Sequence, residues 1–129
     1  MRIEHVAVWT DSLERLKAFY VKYFGAAAGN KYSNPAKGFE SYFLSFSGGA
    51  RLELMSLAAG LTAGAAGDAP RAGLAHLAIS AGDRETVVKL TAALGRDGFT
   101  VLSAPRQTGD GYFESLVLDP DGNRVEIAA

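Results

Sequence analysis

The chain has 129 residues, 48% of them hydrophobic and 21% charged, which is the composition of one globular domain with a sizeable core. Its basic and acidic residues are scattered and leave a formal net charge of -1, so we expect no nucleic-acid partner. The absence of cysteine excludes a disulfide scaffold, a thiolate metal site and a cysteine nucleophile. No stretch approaches the roughly 18 apolar residues of a membrane span, so we expect a cytoplasmic protein without a membrane partner.

The first half of the chain predicts a strand, a helix and at least two more strands. RIEHVAVWT, at 2–10, is β-branched and aromatic and predicts the first strand. Apolar residues at helical spacing predict a helix over 11–25, with Asp11 or Ser12 as its N-cap and Gly25 just past its end. GFESYFLSF, the turn SGG and ARLELMSL then predict a hairpin, and NKYSNPAKG before it is a loop or a further edge strand.

The second half repeats this order after an Ala- and Gly-rich stretch at 58–73, which we interpret as a linker. GLAHLAIS predicts a strand, and GDRETVVKLTAALGRDG predicts an amphipathic helix whose apolar face consists of Val87, Leu90, Ala93 and Leu94. FTVLSAP, YFESLVLD and NRVEIA predict three more strands. We therefore expect a single domain over 1–129, with module one at about 1–57 and module two at about 74–129.

The two halves also match residue by residue, at a nearly constant offset. His5 in EHVAV matches His76 in AHLAI, FESYFL matches FESLVL, and the RLE of 51–53 matches the RVE of 124–126. Each half is too small to bury its own sheet face well. The repeat therefore predicts an α+β fold in which two tandem βαβββ modules form a curved mixed sheet around a cleft.

The cleft is the predicted place of a metal site. Alternation along a strand puts Arg51, Glu53 and Met55 on one face, and Trp9 shares a face with His5. A carboxylate buried without a partner is costly, and a divalent cation held by two imidazoles and two carboxylates would compensate it. Such ligation suits Zn, Ni, Co, Fe or Mn. The predicted ligands, each at a strand centre, are His5, Glu53, His76 and Glu126.

A structural interpretation of the same four residues is also open. A histidine on an apolar strand is often a hydrogen-bonded core residue, and each glutamate has an arginine two positions before it. Glu53 would then pair with Arg51, and Glu126 with Arg124. The matched positions of all four residues in the two halves favour the metal site.

These motifs resemble the vicinal oxygen chelate superfamily, also called the glyoxalase, bleomycin resistance and extradiol dioxygenase superfamily. The resemblance covers essentially the whole chain and rests on HVAVWTDSLERLKAFYVKYFG, RLELM, AHLAIS and DPDGNRVEI. It implies metal ligands at His5, Glu53, His76 and Glu126, a set that looks like glyoxalase I, or lactoylglutathione lyase. The implied reaction converts the hemithioacetal of a 2-oxoaldehyde and a thiol, such as glutathione, to a 2-hydroxyacyl thioester.

The implied chemistry is a proton transfer through an ene-diolate, whose charge a divalent metal stabilises. Glu126 is the first choice for the catalytic base, and Glu53 is its counterpart in the other module. The resemblance also implies a small-molecule substrate and a homodimer. The candidate substrate-binding residues are Arg51, Arg124, Trp9 and Met55, and the loops SNPAKGFES and QTGDGYFES are candidates for the mouth of the cleft.

Other branches of the superfamily give alternative functions. Extradiol dioxygenases and fosfomycin-modifying members use three ligands, and methylmalonyl-CoA epimerase typically has Gln where Glu53 stands, so Glu53 counts against these branches. Bleomycin-binding members keep the fold without the ligands. A non-catalytic protein that binds a drug or toxin is therefore the alternative, followed by an epimerase or dioxygenase.

Overall fold

Each half of the chain forms its own helix and sheet in the computed structural model, which describes residues 2–61, 73–109 and 111–129. The chain divides into two units, Met1–Gly67 and Asp68–Ala129. The linker predicted at 58–73 falls mainly outside the described residues. Neither α-helix in the described part of the chain is long and apolar enough to span a bilayer.

The first unit is built around a mixed sheet. Its elements are β1 (His5–Trp9), α1 (Leu13–Phe24), β2 (Ala27–Ala28), β3 (Tyr32–Asn34), a 3₁₀ turn (Pro35–Lys37), β4 (Phe39–Ser45) and β5 (Arg51–Leu57). The strand order is β1-β5-β4-β2, with β3 also paired to β4. β1 and β5 are parallel, with His5 opposite Arg51, and the other pairs are antiparallel.

The second unit repeats this plan with fewer secondary-structure elements. Its elements are β6 (Leu77–Ser80), α2 (Arg84–Arg96), β7 (Val101–Gln107), β8 (Phe113–Leu118) and β9 (Arg124–Ala128). The strand order is β6-β9-β8-β7, and β6 and β9 are parallel, with Ala78 opposite Glu126. The predicted α+β class is confirmed. β2 and β3 together occupy the place that β7 fills in the second unit, and each unit has a sheet of its own.

The core of each unit lies between its helix and one face of its sheet. In β5 the side chains of Leu52 and Leu54 are buried, and in β9 those of Val125 and Ile127 are buried. Full burial of such a side chain stabilises the fold by roughly 1.5–3 kcal/mol. The residues that alternate with these buried side chains along β5 and β9 therefore lie on the other face of each sheet, away from the core.

The two helices begin differently. Ser12 is the N-cap of α1, but its side chain makes no cap hydrogen bond, and Glu14 in the first turn accepts a hydrogen bond from the Tyr42 hydroxyl at 2.9 Å. Asp83 caps α2 and accepts a hydrogen bond from the Thr86 N–H at 2.8 Å. Gly25 ends α1 in the left-handed conformation, at φ 63°, as predicted.

The buried face of α2 differs in part from the prediction. Val87 and Leu94 are buried as expected, whereas Leu90 and Ala93 are only half-buried. The third buried residue is Thr91, whose hydroxyl donates to the Val87 carbonyl oxygen at 2.6 Å and lies 2.6 Å from the Ser115 hydroxyl. A polar side chain can occupy this core position because its hydrogen-bonding groups are satisfied.

Candidate functional site

Each unit carries a histidine and a glutamate on the sheet face that points away from its helix. The Glu53 side chain is 15% exposed between the buried Leu52 and Leu54, and the Glu126 side chain is 19% exposed between Val125 and Ile127. Strand alternation forces both carboxylates onto the face opposite the leucine, valine and isoleucine side chains. The sequence pattern therefore fixes where these two carboxylates point.

The structure brings the predicted residues together as two pairs. His5 Nε2 lies 3.8 Å from Glu53 Oε2 in the first unit, and His76 Nε2 lies 3.5 Å from Glu126 Oε2 in the second. The parallel pairing of the first and last strands of each unit makes both contacts, because it sets the histidine beside the strand that carries the glutamate. Each unit thus presents one imidazole nitrogen and one carboxylate oxygen side by side.

The prediction that all four ligands occupy strand centres is wrong for the histidines. His5 is the first residue of β1, and His76 immediately precedes β6. The partner strands begin only at Arg51 and Arg124, each after a turn, so residues further upstream have no continuing ladder beside them. The histidines therefore lie at the entrance of each parallel ladder.

The spacing of each pair suits a divalent metal. Two ligand atoms bound at about 2.0–2.2 Å to a tetrahedral ion lie about 3.4 Å apart. The pair in the second unit has this separation already, and the pair in the first unit needs only a small side-chain rotation. Within the described residues there is no cluster of three or more His, Cys, Asp or Glu side chains arranged for a metal. Each unit therefore supplies two of the four predicted ligands.

Arg51 does not pair with Glu53, which was the structural alternative for that carboxylate. Its Nε donates to Glu4 Oε1 at 2.9 Å, and its guanidinium lies 4.1 Å from the centre of the Phe43 ring. Arg51 and Glu53 belong to the same strand, where side chains two positions apart are separated by about 6.7 Å. Arg51 instead contacts Glu4, the residue just before β1, and this contact engages the guanidinium proposed for substrate binding.

Glu4 is a site residue that the sequence did not reveal. Its Oε2 lies 2.5 Å from His5 Nδ1, on the opposite side of the imidazole ring from Glu53. The hydrogen bond with His5, followed by that from Arg51, holds the pKa of the Glu4 carboxyl below its usual range. An acidic residue directly before a candidate ligand, near an arginine on the paired strand, was the available signal.

The remaining predicted residues are spread over both units. Trp9 lies opposite Met55 in the β1–β5 ladder; the residue is 46% exposed, and its ring stands edge-on to Phe39 at 6.2 Å. Met55 is half-buried, and Arg124 is half-buried at the start of β9, opposite Leu118. Trp9 and Met55 therefore share the sheet face of the His5–Glu53 pair.

The pair in the second unit opens into a pocket of about 570 Å³, a size typical of small-molecule sites. Its lining consists of His76, Ala78, Ser80, Thr108, Tyr112, Glu114, Glu126, Ala128 and Ala129. Ala78 and Ala128 keep the space beside Glu126 open, and Thr108 and Tyr112 come from the loop QTGDGYFES. Glu114, which the sequence did not single out, lies 3.5 Å from an Arg106 guanidinium nitrogen.

A separate pocket of about 500 Å³ in the first unit does not include the His5–Glu53 pair. Its lining includes Asp11, Asn34 and Glu40. The 3₁₀ turn at Pro35–Lys37 and β3 form one wall of this pocket, so the loop SNPAKGFES contributes to it. In the described part of the first unit, the pocket and the His–Glu pair are therefore distinct features.

Comparison with known proteins identifies a family. Residues 2–127 match the model of the glyoxalase/bleomycin resistance protein/dioxygenase superfamily. No protein of curated function matches the sequence. The family match covers both modules and includes all four predicted metal ligands, so the resemblance inferred from the motifs is confirmed.

Solved structures with the same fold include two glyoxalase I enzymes and a glyoxalase family protein. Glyoxalase I from Zea mays matches 98% of this chain at 23% identity and a TM-score of 0.77, and the match spans only 44% of the maize chain. A glyoxalase family protein from Enterococcus faecalis matches 99% of this chain and 97% of its own, at 24% identity and a TM-score of 0.78. The trypanothione-dependent glyoxalase I of Leishmania major matches 98% of this chain and 85% of its own, at 21% identity and a TM-score of 0.73. These likenesses establish the fold.

Proposed function

This chain belongs to the glyoxalase/bleomycin resistance protein/dioxygenase superfamily, and we propose that it is a divalent-metal-dependent lyase or isomerase of the glyoxalase I type. The proposed substrate is the hemithioacetal of a 2-oxoaldehyde and a thiol such as glutathione, and the product is a 2-hydroxyacyl thioester. The observation that carries the proposal is the matched pair of His–Glu contacts, 3.8 Å in one unit and 3.5 Å in the other.

The four paired residues form the proposed ligand set. His5 and His76 offer Nε2, and Glu53 and Glu126 offer a carboxylate oxygen, which gives two nitrogen and two oxygen donors suited to Zn, Ni, Co, Fe or Mn. A bound divalent metal supplies Lewis-acid stabilisation of the negative charge that develops on the substrate oxygens. The apolar residues on either side of each glutamate restrict the carboxylate to one direction.

Glu126 is the proposed catalytic base. It lines the pocket of the second unit, where its carboxylate can take the proton from the carbon that bears the sulfur and return it to the adjacent carbon. One proton thus moves between the two carbons and the hydroxyl proton moves between the two oxygens, so the substrate and product are isomers. Glu53 is the counterpart in the first unit and the second candidate for this role.

The proposed assembly is a homodimer. This chain spans 44% of the maize glyoxalase I chain, so two copies of it would together approach the length of that relative. Arg51 is engaged by Glu4, so we do not assign it to the carboxylates of the thiol. The pocket lined by Tyr112 and Thr108 is the proposed place of the substrate in the second unit.

The test is thioester formation from methylglyoxal and glutathione by protein loaded separately with Ni, Zn, Co, Fe or Mn. Glu126→Gln keeps the size of the side chain but removes the base, and should lower kcat by about 10²–10⁴-fold. Glu85→Gln is the matched control, because Glu85 is an exposed carboxylate on α2 that pairs with Lys89. Absence of thioester with all five metals, or wild-type kcat in Glu126→Gln, would refute this assignment.

A non-catalytic binding protein of the same fold is the second candidate function. The exposed rings of Trp9 and Tyr32 both lie against Phe39, at 6.2 and 6.1 Å, and would suit an aromatic guest. This candidate predicts that His5→Ala leaves binding of an aromatic drug such as bleomycin unchanged. Loss of both metal and drug binding in His5→Ala would contradict it.

A further inference from the structure

The side chain of His5 is held by a closed ring of contacts that involves three other residues. Glu4 Oε2 lies 2.5 Å from His5 Nδ1, and Arg51 Nε donates to Glu4 Oε1 at 2.9 Å. The Arg51 guanidinium lies over the Phe43 ring at 4.1 Å, and that ring stands edge-on to the His5 imidazole at 5.3 Å. Each of the four side chains is thus fixed by two of the others.

The backbone reinforces this ring. The Arg51 N–H donates to the Glu4 carbonyl oxygen at 3.0 Å, which extends the contact between the two chain segments one residue beyond β1. Glu4 and Arg51 are therefore joined through both main chain and side chain. The carboxylate can reach back to the imidazole because Glu4 precedes the strand and does not follow its alternation.

We propose that Glu4 is a positioning residue that prepares His5 as a metal ligand before any metal arrives. A carboxylate paired with an arginine is ionised and only accepts hydrogen bonds, so the proton of the neutral imidazole lies on Nδ1. Nε2 is then unprotonated, and it is the atom that faces Glu53. The inference rests on the proposed metal-dependent function and adds a residue outside the four ligands.

The second unit has no equivalent of this residue. Ala75 stands at the position before His76, so its side chain is a methyl group where the first unit has a carboxylate. The His76 imidazole retains its contact with Glu126 at 3.5 Å. The two half-sites are therefore unequal, with the tautomer of His5 set by Glu4 and that of His76 set without a carboxylate at this position.

The first experiment reads the tautomers directly. Long-range ¹⁵N–¹H NMR of metal-free protein at neutral pH distinguishes the two imidazoles, and we expect His5 to carry its proton on Nδ1 in the wild type. Glu4→Ala should shift His5 towards the Nε2-protonated form and leave His76 unchanged. Glu4→Gln retains an acceptor oxygen and should keep the wild-type tautomer.

The second experiment measures Ni affinity by competition with a chelator. Glu4→Ala should weaken binding by about 10–100-fold, the usual cost of losing a residue that orients a metal-bound histidine. Glu85→Ala is the control, because Glu85 is an exposed carboxylate in the other unit and should change neither affinity nor tautomer. Wild-type affinity in Glu4→Ala, or an unchanged His5 tautomer, would overturn the role of Glu4. Failure of the wild type to bind any divalent metal would instead overturn the proposed function, and the NMR comparison would still decide whether Glu4 sets the tautomer.

Discussion

Replacing Thr91 by valine should destabilise the second unit by about 2 kcal/mol, because it leaves a buried hydroxyl without its acceptor. Thr91 is 4% exposed and Ser115 is 1% exposed. The Thr91 hydrogen is donated to the Val87 carbonyl oxygen, so the Ser115 hydroxyl must donate to Thr91. Valine has nearly the same shape as threonine, so the loss of stability comes from the unpaired Ser115 hydroxyl rather than from a cavity.

A double-mutant cycle isolates this interaction. Ser115→Ala leaves Thr91 bonded to Val87 and should lower the free energy of unfolding by about 1 kcal/mol. The double variant should lose about 1 kcal/mol less than the sum of the two single losses. Urea unfolding measures each value, and a loss of 2 kcal/mol lowers the midpoint by about 1 M at a typical slope. Strict additivity of the two changes, or a Thr91→Val midpoint equal to that of the wild type, would refute the reasoning.

Three further changes test other features. Asp83→Ala should lower the urea midpoint more than Ser12→Ala, because of these two residues only Asp83 caps its helix with its side chain. The cap hydrogen bond lowers the pKa of Asp83, so its stabilisation is present at neutral pH. The difference between Asp83→Ala and the wild type should vanish as acid protonates the carboxyl of the folded protein. Gly25→Ala should cost about 1 kcal/mol, since φ is 63°, whereas Gly48→Ala, with no positive φ and no atom within 4 Å, should be neutral in the same unfolding assay. Nickel at 100 times its Kd should stabilise the wild type by about 2.7 kcal/mol in thermal unfolding, with a smaller gain in His76→Ala and none after chelation.

Much of the fold could be read from the sequence because the strands that carry the glutamates alternate clearly between apolar and polar residues. In β5 and β9 the aliphatic residues on either side of each glutamate determined which face is buried, and the structure shows that pattern. The short strands β2 and β3 could not be predicted in the same way. Ala27–Ala28 has no alternation, and Tyr32–Asn34 is too short to show a period, so only pairing with β4 makes them strands.

The sequence predicted the residues of the candidate site that recur in both halves of the chain. It did not predict the contacts made at the strand ends. The repeat matched His5 and Glu53 with His76 and Glu126, and the same parallel pairing in both units brings each histidine to its glutamate. Glu4 was missed because adjacent residues in a strand point to opposite faces, a rule that does not apply to a residue just before the ladder. The alternative pairing of Arg51 with Glu53 rested on their shared face, yet Arg51 pairs with the carboxylate of Glu4, just before β1.

The parallel ladder between the first and last strands of each unit also determines when its His–Glu pair can exist during synthesis. β1 cannot pair within the sheet until β5 has left the ribosome, since β5 is its described partner. Pairing of segments so distant along the chain is slow compared with helix formation. A nascent chain that stops within β4 therefore has His5 but no Glu53 beside it, whereas one that extends past β5 can close the first unit while the second is still being translated. The order of translation thus forms one His–Glu pair at a time, beginning with His5 and Glu53.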